Sequence, residues 1–489
     1  MKTLKIIIIF LILIISAGAV CAADSLSENN ITIDDNKTVE NVHDDVVVQD
    51  LENDHENIYE AGEASFKDLE NEIRDSDNFL NVTKDYKFNN ETDNVKGIAI
   101  QKDNFVINGN GHTVDADGKS IIFTISRGNI TINNLKIINA KTTGGGAIAT
   151  GATSWLKTNN VTFENNHAGG GAIYVTGHYT SVNDKFINNQ GKASAIYASG
   201  QNSTIELVNG TFISDMELSW GMIYTRYTKL YIENTTFANL TSNYSTAVHI
   251  LGGSGKLRNC NFINLTAKIT AGAVGIRAND NVTIENCNFI NSKSQKNGGA
   301  VFADVAAIYG GNSTVKVINS QFVNCFSEFG GAFLQLGGKL LINQSNFTSN
   351  SAQYDGGAVY TSGASGDIIN SRFVSNKALT EGFANGGACY LDNGEIAIES
   401  CVFENNSADE GSSIYTYDFT LNLTGCYFNN TGNCSSIYCV FDDTNFKDGN
   451  NFTNDTVSLN NTNYDLNVEN SQTKFIILDN SINVENLPK

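Results

Sequence analysis

The chain is almost without proline: among 489 residues there is one, Pro488, next to the last position. Its turns must be made by other residues. The 44 glycines and the many asparagines supply them, since both tolerate left-handed backbone angles and keep the N–H that a β-ladder needs. Basic side chains are also scarce, 31 Lys and Arg against 52 Asp and Glu, and only six of them are Arg. A formal charge of −21 with no basic patch repels nucleic acid and anionic lipid, which excludes nucleic acid as an expected partner. The same charge suits divalent cations such as Ca²⁺, but no cation-binding motif accompanies it and no cofactor is expected. No long apolar run occurs after the first 22 residues, so no membrane span is expected once that segment is removed.

Lys2 and Lys5 precede the apolar run Ile6 to Ile15, and small residues occupy most of Ser16 to Ala23. That order reads as a secretory signal over 1–22, with Val20 and Ala22 suited to cleavage before Ala23. The protein is expected to be secreted or held at the cell surface. Residues 23–60 carry twelve acids and one Lys, too polar to offset the entropy of ordering, and read as a disordered spacer. In the N-terminal cap, 61–104, Ser65 and Asp68 have capping-box spacing, and Phe66, Leu69 and Ile73 share one helical face. Such a helix would close the open first coil of a stack of strands.

Beyond the cap the chain is repetitive. A Gly-Gly-small element recurs about every 26 residues, with its small residue at Ala147, Ala172, Ala195, Met222, Ala247, Ala273, Ala300, Ala332, Ala358, Ala388, Ser413 and Ser436. An aromatic answers it at Phe163, Phe186, Phe212, Phe237, Phe262, Phe289, Phe322, Phe347, Phe373, Phe403 and Phe428. One unit of this length cannot bury its apolar face alone, so the period dictates a solenoid. Asn two residues after the aromatic (Asn165, Asn188, Asn239, Asn264) and three before it (Asn160, Asn183, Asn234, Asn259) would stack as amide ladders at the turns. The expected architecture is all-β: a parallel β-helix of about 12 coils over 105–455, with the short N-terminal helix as its cap. In 456–489, Tyr464, Leu466 and Val468 with Phe475 to Leu478 suggest a terminal β-hairpin cap running into a linker.

The Gly170 to Tyr174 and Phe163 to Asn166 elements resemble the repeats of chlamydial polymorphic membrane proteins. The layout of signal, acidic spacer, Phe66 to Leu69 helix, Asn108 to Gly111 opening and β-helix is similar to that of adhesin-like surface proteins of methanogenic archaea. The resemblance covers roughly residues 60–455. It implies a right-handed, pectin-lyase-like β-helix, an archaeal source and a place at the cell surface, and the sequons named below would make the chain a glycoprotein.

Polysaccharide lyases and hydrolases of this shape need clustered acids. Here Asp184, Glu206, Glu285, Asp304, Asp355, Asp367, Glu399 and Asp418 fall at different phases of the repeat, and the six His are scattered. No catalytic or metal site is expected. Tyr174, Tyr197, Tyr224, Tyr360, Tyr390, Tyr415 and Tyr438 share one phase, as an outward file able to stack on sugars or as a buried structural ladder. Cys260 with Cys287, and Cys401 with Cys426, share a phase on adjacent coils, as disulfides or as stacked thiols. Asn81, Asn160, Asn234, Asn281, Asn312 and Asn422 lie in sequons and are candidate glycosylation sites. The expected function is a non-catalytic adhesin or envelope protein that binds cell-surface glycans or proteins along an extended face. The alternatives are a carbohydrate-active β-helix enzyme and a passive stalk for a missing C-terminal domain.

Overall fold

Residues 160–183 show how one coil is made. Asn160 takes a left-handed turn at φ 55°, and Thr162–Glu164 then forms a three-residue strand with Phe163 inward. Asn165, left-handed at φ 54°, turns the chain into His167–Ala168. Three glycines lead to Ile173–Val175 and then to His178–Val182, before Asn183 turns the chain again. Each strand alternates buried and less buried residues, as a two-residue period demands.

In the computed structural model, which describes residues 64–277, 281–305, 313–430, 434–446, 449–452, 456–460, 463–466 and 474–477, this unit stacks into a right-handed parallel β-solenoid of about 14 turns. The stretches read as a signal, 1–22, and a spacer, 23–60, lie outside the described residues. The Phe strands form a 15-stranded sheet, the strands after the Gly turn a 28-stranded sheet, and the short strands between them a seven-stranded sheet. The extra turns relative to expectation come partly from strands without the repeat signature. Phe79–Asn81, for example, already pairs in parallel with Phe105–Asn108.

Phe163 to Phe452 form one buried file through twelve coils, with neighbouring ring centroids 4.5–5.2 Å apart. Tyr86, Val114 and Ile137 extend the same file towards the N-terminus. Burying each ring contributes about 2–3 kcal/mol. The turn Asn side chains make the expected ladders, for instance Asn319 to Asn286 at 2.9 Å, Asn286 to Asn259 at 3.1 Å and Asn259 to Asn234 at 3.1 Å. The second glycine of the Gly-Gly turn has a steric reason. A Cβ on Gly299, Gly331 or Gly357 would stand 1.9–2.0 Å from a carbonyl oxygen of the next coil.

The helix Phe66–Asp75 opens with the capping box of Ser65 and Asp68 and buries Phe66, Leu69 and Ile73. Phe66 meets Phe88 edge-on at 5.5 Å, which seats the helix on the first turn. The C-terminal hairpin is a correction. Asn463–Leu466 pairs in parallel with Asp443–Phe446, and Lys474–Ile477 pairs in parallel with Thr456–Asn460. Each strand meets an open edge already offered by the preceding coil, and alternation alone does not say which partner a strand takes. No described helix is long and apolar enough to cross a membrane.

Candidate functional site

The tyrosine file starts from a parity. Ile173 and Val175 are buried in the core, and Tyr174 between them leaves the strand on the opposite side. Strand register aligns Tyr174, Tyr197, Tyr224, His249, Gly275, Phe302, Leu334, Tyr360, Tyr390, Tyr415 and Tyr438. Rings stack at 5.4, 5.3 and 5.1 Å from Tyr174 to His249, and at 4.9, 5.2 and 5.6 Å from Tyr360 to Tyr438. Gly275 divides the two runs.

The Gly-rich turn then folds over these rings, so close that a Cβ on Gly170 would stand 2.8 Å from the Tyr174 ring. Trp220 covers Tyr224 and His249 edge-on, each at 5.5 Å, and Phe329 covers Tyr360. Tyr224, Tyr360 and Tyr415 are buried, while Tyr174, Tyr197, Tyr390 and Tyr438 are half-buried. Burial pushes the Tyr360 and Tyr390 phenols well above their usual range, with nearby Asp392 and Asp355 adding to it. It also lowers the His249 imidazole to about 3, helped by Arg277 and Lys192, and Ser245 meets its Nδ1 at 3.0 Å.

The four paired cysteines belong to a column two residues before the Phe file: Cys260, Cys287, Ser320, Ser345, Ser371, Cys401 and Cys426. Ser320, Ser345 and Ser371 donate to the carbonyl two residues back at 2.8–3.0 Å, and each cysteine thiol does the same at 3.1–3.4 Å. All four are buried and stand as free thiols, paired on adjacent coils as the phase requires. Contact with Cys260, then burial, pushes the Cys287 thiol up; Cys426 does the same to Cys401.

Among the sequons, Asn81, Asn234 and Asn281 are exposed and use their amide oxygens as acceptors, from Asn108, Asn259 and the Thr314 N–H. Asn422 is half-buried and accepts from Asn445. Asn160 is exposed, but its amide nitrogen donates to Asn134. Asn312 lies outside the described residues.

Two acids are held inside the fold. Asp184 accepts from Ser181 Oγ at 2.6 Å, from the Val161 N–H at 2.7 Å and from Thr158. Asp442 accepts from the Phe419 N–H at 3.0 Å, the Val440 N–H at 3.2 Å and Thr416. Burial raises their carboxyls to about 6 and about 7, against these hydrogen bonds. They sit many coils apart and do not converge. Among the described residues no group of three or more His, Cys, Asp or Glu is placed to hold a metal.

A third buried column escapes a reading that looks only at turns. Asn166, Asn189, Asn350, Asn376 and Asn406, three residues after the aromatic, each donate to the carbonyl of a Phe-file residue one coil back, at 2.8–3.0 Å. The doubled Asn of the Phe-x-Asn-Asn element was the signal for it.

Among the described residues, each of the two tryptophans makes an aromatic corner at the surface. At one, Trp220 stacks on Tyr244 at 4.2 Å, and Lys192 Nζ lies 5.1–5.8 Å from the rings of Tyr197, Trp220 and Tyr224. An open groove lined by Lys141, Thr142, Thr143, His167 and Gly191 adjoins it. At the other, Trp155 stacks on His178 at 3.8 Å.

Residues 160–176 and 344–362 match the repeat of the Chlamydia polymorphic membrane proteins. The two stretches are structurally equivalent. Each begins at a left-handed turn residue, Asn160 or Gln344, and passes the file Phe, Phe163 or Phe347, to end just after Tyr174 or Tyr360. No curated protein and no solved structure matches the chain.

Proposed function

We propose that this chain is an exported, non-catalytic surface protein whose solenoid binds cell-surface glycans or proteins through repeated weak contacts. The observation that carries the reading is the coil-by-coil repetition of outward side chains on a stack in parallel register, which favours multivalent binding over a single deep site. The similarity of two coils to a repeat of polymorphic membrane proteins supports a place at the cell surface. The scattered acids, with Asp184 and Asp442 each held by hydrogen bonds of its own coils, favour a role without catalysis.

The test is a glycan and cell-surface array probed with the secreted chain, run beside digestion of pectins, alginates and glycosaminoglycans with and without Ca²⁺. Binding without release of unsaturated or reducing ends is expected. Turnover lost on a single Asp→Ala change would replace the reading with that of a carbohydrate-active enzyme.

A further inference from the structure

The Tyr file is largely covered, so an aromatic surface for a ligand has to be sought elsewhere. Trp155 is 54% exposed and Tyr227 is 37% exposed, and both lie where the strands of the 28-stranded sheet turn from one face of the solenoid to the next. Strand register places Asn129, Trp155, His178, Thr204, Lys229 and Ser254 in one file along the axis. The Trp155 indole lies nearly flat on the His178 ring, 3.8 Å away with planes 19° apart. His178 is in turn fixed by a 2.7 Å contact between its Nδ1 and Thr204 Oγ1.

Three coils on, Tyr227 adopts φ 56°, a left-handed angle that an aromatic residue seldom takes. Its ring rests on Gly252, where a Cβ would stand 2.4 Å from Cδ1, and the Arg226 guanidinium lies 5.4 Å from the ring centre. Such strain at an exposed aromatic is the kind of outlier that marks a contact residue.

The charge of this corner runs against that of the chain. Arg127, Lys157, Arg226 and Lys229 are exposed and form no ion pair among the described residues, and Arg127 and Arg226 are two of only six arginines. On the same sheet Lys256 is engaged by Glu285 and Arg258 by Glu233. The acids nearest the file are Glu206, one column away, and Asp103, which caps the Asn129 N–H.

Flat aromatic faces at Trp155 and Tyr227 and unpaired cations, spread over coils that follow one another at about 4.8 Å, suit a chain of rings bearing anionic groups. We propose that the Trp155–Tyr227 corner is a binding strip for an acidic oligosaccharide. A sugar ring stacks beside Trp155, and Arg226 and Lys229 receive carboxylate or sulfate groups three coils away. This deepens, and rests on, the glycan-binding function proposed for the solenoid.

The experiment titrates the secreted full chain with an oligogalacturonate, a sulfated oligosaccharide and a neutral gluco-oligosaccharide of equal length, by calorimetry at two salt concentrations. The acidic ligands are expected to bind and the neutral one to bind far more weakly; which of the two acidic ligands is tighter identifies the anionic group. Trp155→Ala, and Arg226→Ala with Lys229→Ala, should each lower affinity about tenfold without changing the melting temperature. Phe441→Ala, an exposed aromatic outside the strip, should change neither. Tyr227→Gly, which relaxes the left-handed angle, should keep the fold and weaken binding. Glycan binding that survives the Trp155 and Arg226/Lys229 changes, or a neutral ligand bound as tightly as the acidic ones, overturns the strip alone. A parent chain that binds no glycan overturns the glycan-binding function beneath it.

Discussion

A carboxylate inside a stacked β-solenoid has no water to turn to, and Asp184 and Asp442 are held by the hydroxyls and N–H groups that face them. With their carboxyls raised to about 6 and about 7 from a usual value near 3.8, each favours the folded state in its neutral form. The contribution is therefore complete below about pH 4 and is lost as pH rises through 6 and 7, on the order of 3 kcal/mol for each group. Urea unfolding should give a lower stability at pH 8 than at pH 5, and Asp184→Asn should reduce that difference. A chain more stable at pH 8 would mean that these carboxyls are not held in the uncharged interior. The Phe file makes the opposite demand, since none of its positions offers a partner to a charge. Phe289, stacked at 4.5 and 4.7 Å between Phe262 and Phe322, should not tolerate Asp: Phe289→Asp is expected to cost more than about 4 kcal/mol and to abolish cooperative melting. Melting like that of the parent would show that Phe289 is not inside.

The turn and the strand after it show what a repeat reveals in sequence and what it hides. In Gly331 the absence of a Cβ is obligatory, because one would stand 2.0 Å from the Gly357 carbonyl oxygen, whereas Gly144 has nothing within 4 Å. Gly331→Ala should lower stability by about 2–3 kcal/mol in denaturant melts, and Gly144→Ala should leave it nearly unchanged. Equal effects would mean that the turns do not stack as described. The Phe file, the turn Asn ladders and the Gly-Gly turn were all legible because one residue type recurs at one phase. The covering of the tyrosines was not. Alternation tells which side of a strand Tyr360 leaves, but Phe329 and the glycine turn that close over it come from other phases of the coil. For the same reason Tyr360, Tyr390 and Tyr415 changed together to Ser should cost stability, on the order of 3 kcal/mol for each of the buried rings Tyr360 and Tyr415. Melting and adhesion measured on one preparation check this, and a stable variant with weakened adhesion would return the file to the binding surface. Trp155 was illegible for a simpler reason: it occurs once, and a period carries no information about what does not repeat. The parallel pairing of Asn463–Leu466 was hidden because hairpins and coils use the same alternating strands.

At the scale of the solenoid, each coil touches only its neighbours, so stability should be close to a sum of coil terms and coil–coil interfaces. That makes a whole coil removable and a part of one not. Asn346 is in register with Arg372, and Ser345 and Ser371 hold the same place two residues before the file aromatic. Deleting residues 346–371 joins Ser345 to Arg372, so the Phe file, the serine column and the buried Asn column all close over the gap. The shortened chain should still be all-β by circular dichroism and cooperative in melting, with its stability lowered by about one coil's share. Deleting residues 346–358 alone joins Ser345 to Val359, which sends a Phe-sheet turn into a strand of the 28-stranded sheet and leaves the next coil without a template; that chain should fail to fold. The deletions also separate the solenoid from its surface, because Trp155, His178 and Lys229 lie several coils before the cut. Affinity for an acidic oligosaccharide should therefore survive loss of the whole coil unchanged, while adhesion to a surface that engages many coils at once should fall. If the affinity itself fell with the coil, binding would depend on the stack as a whole and not on a local strip.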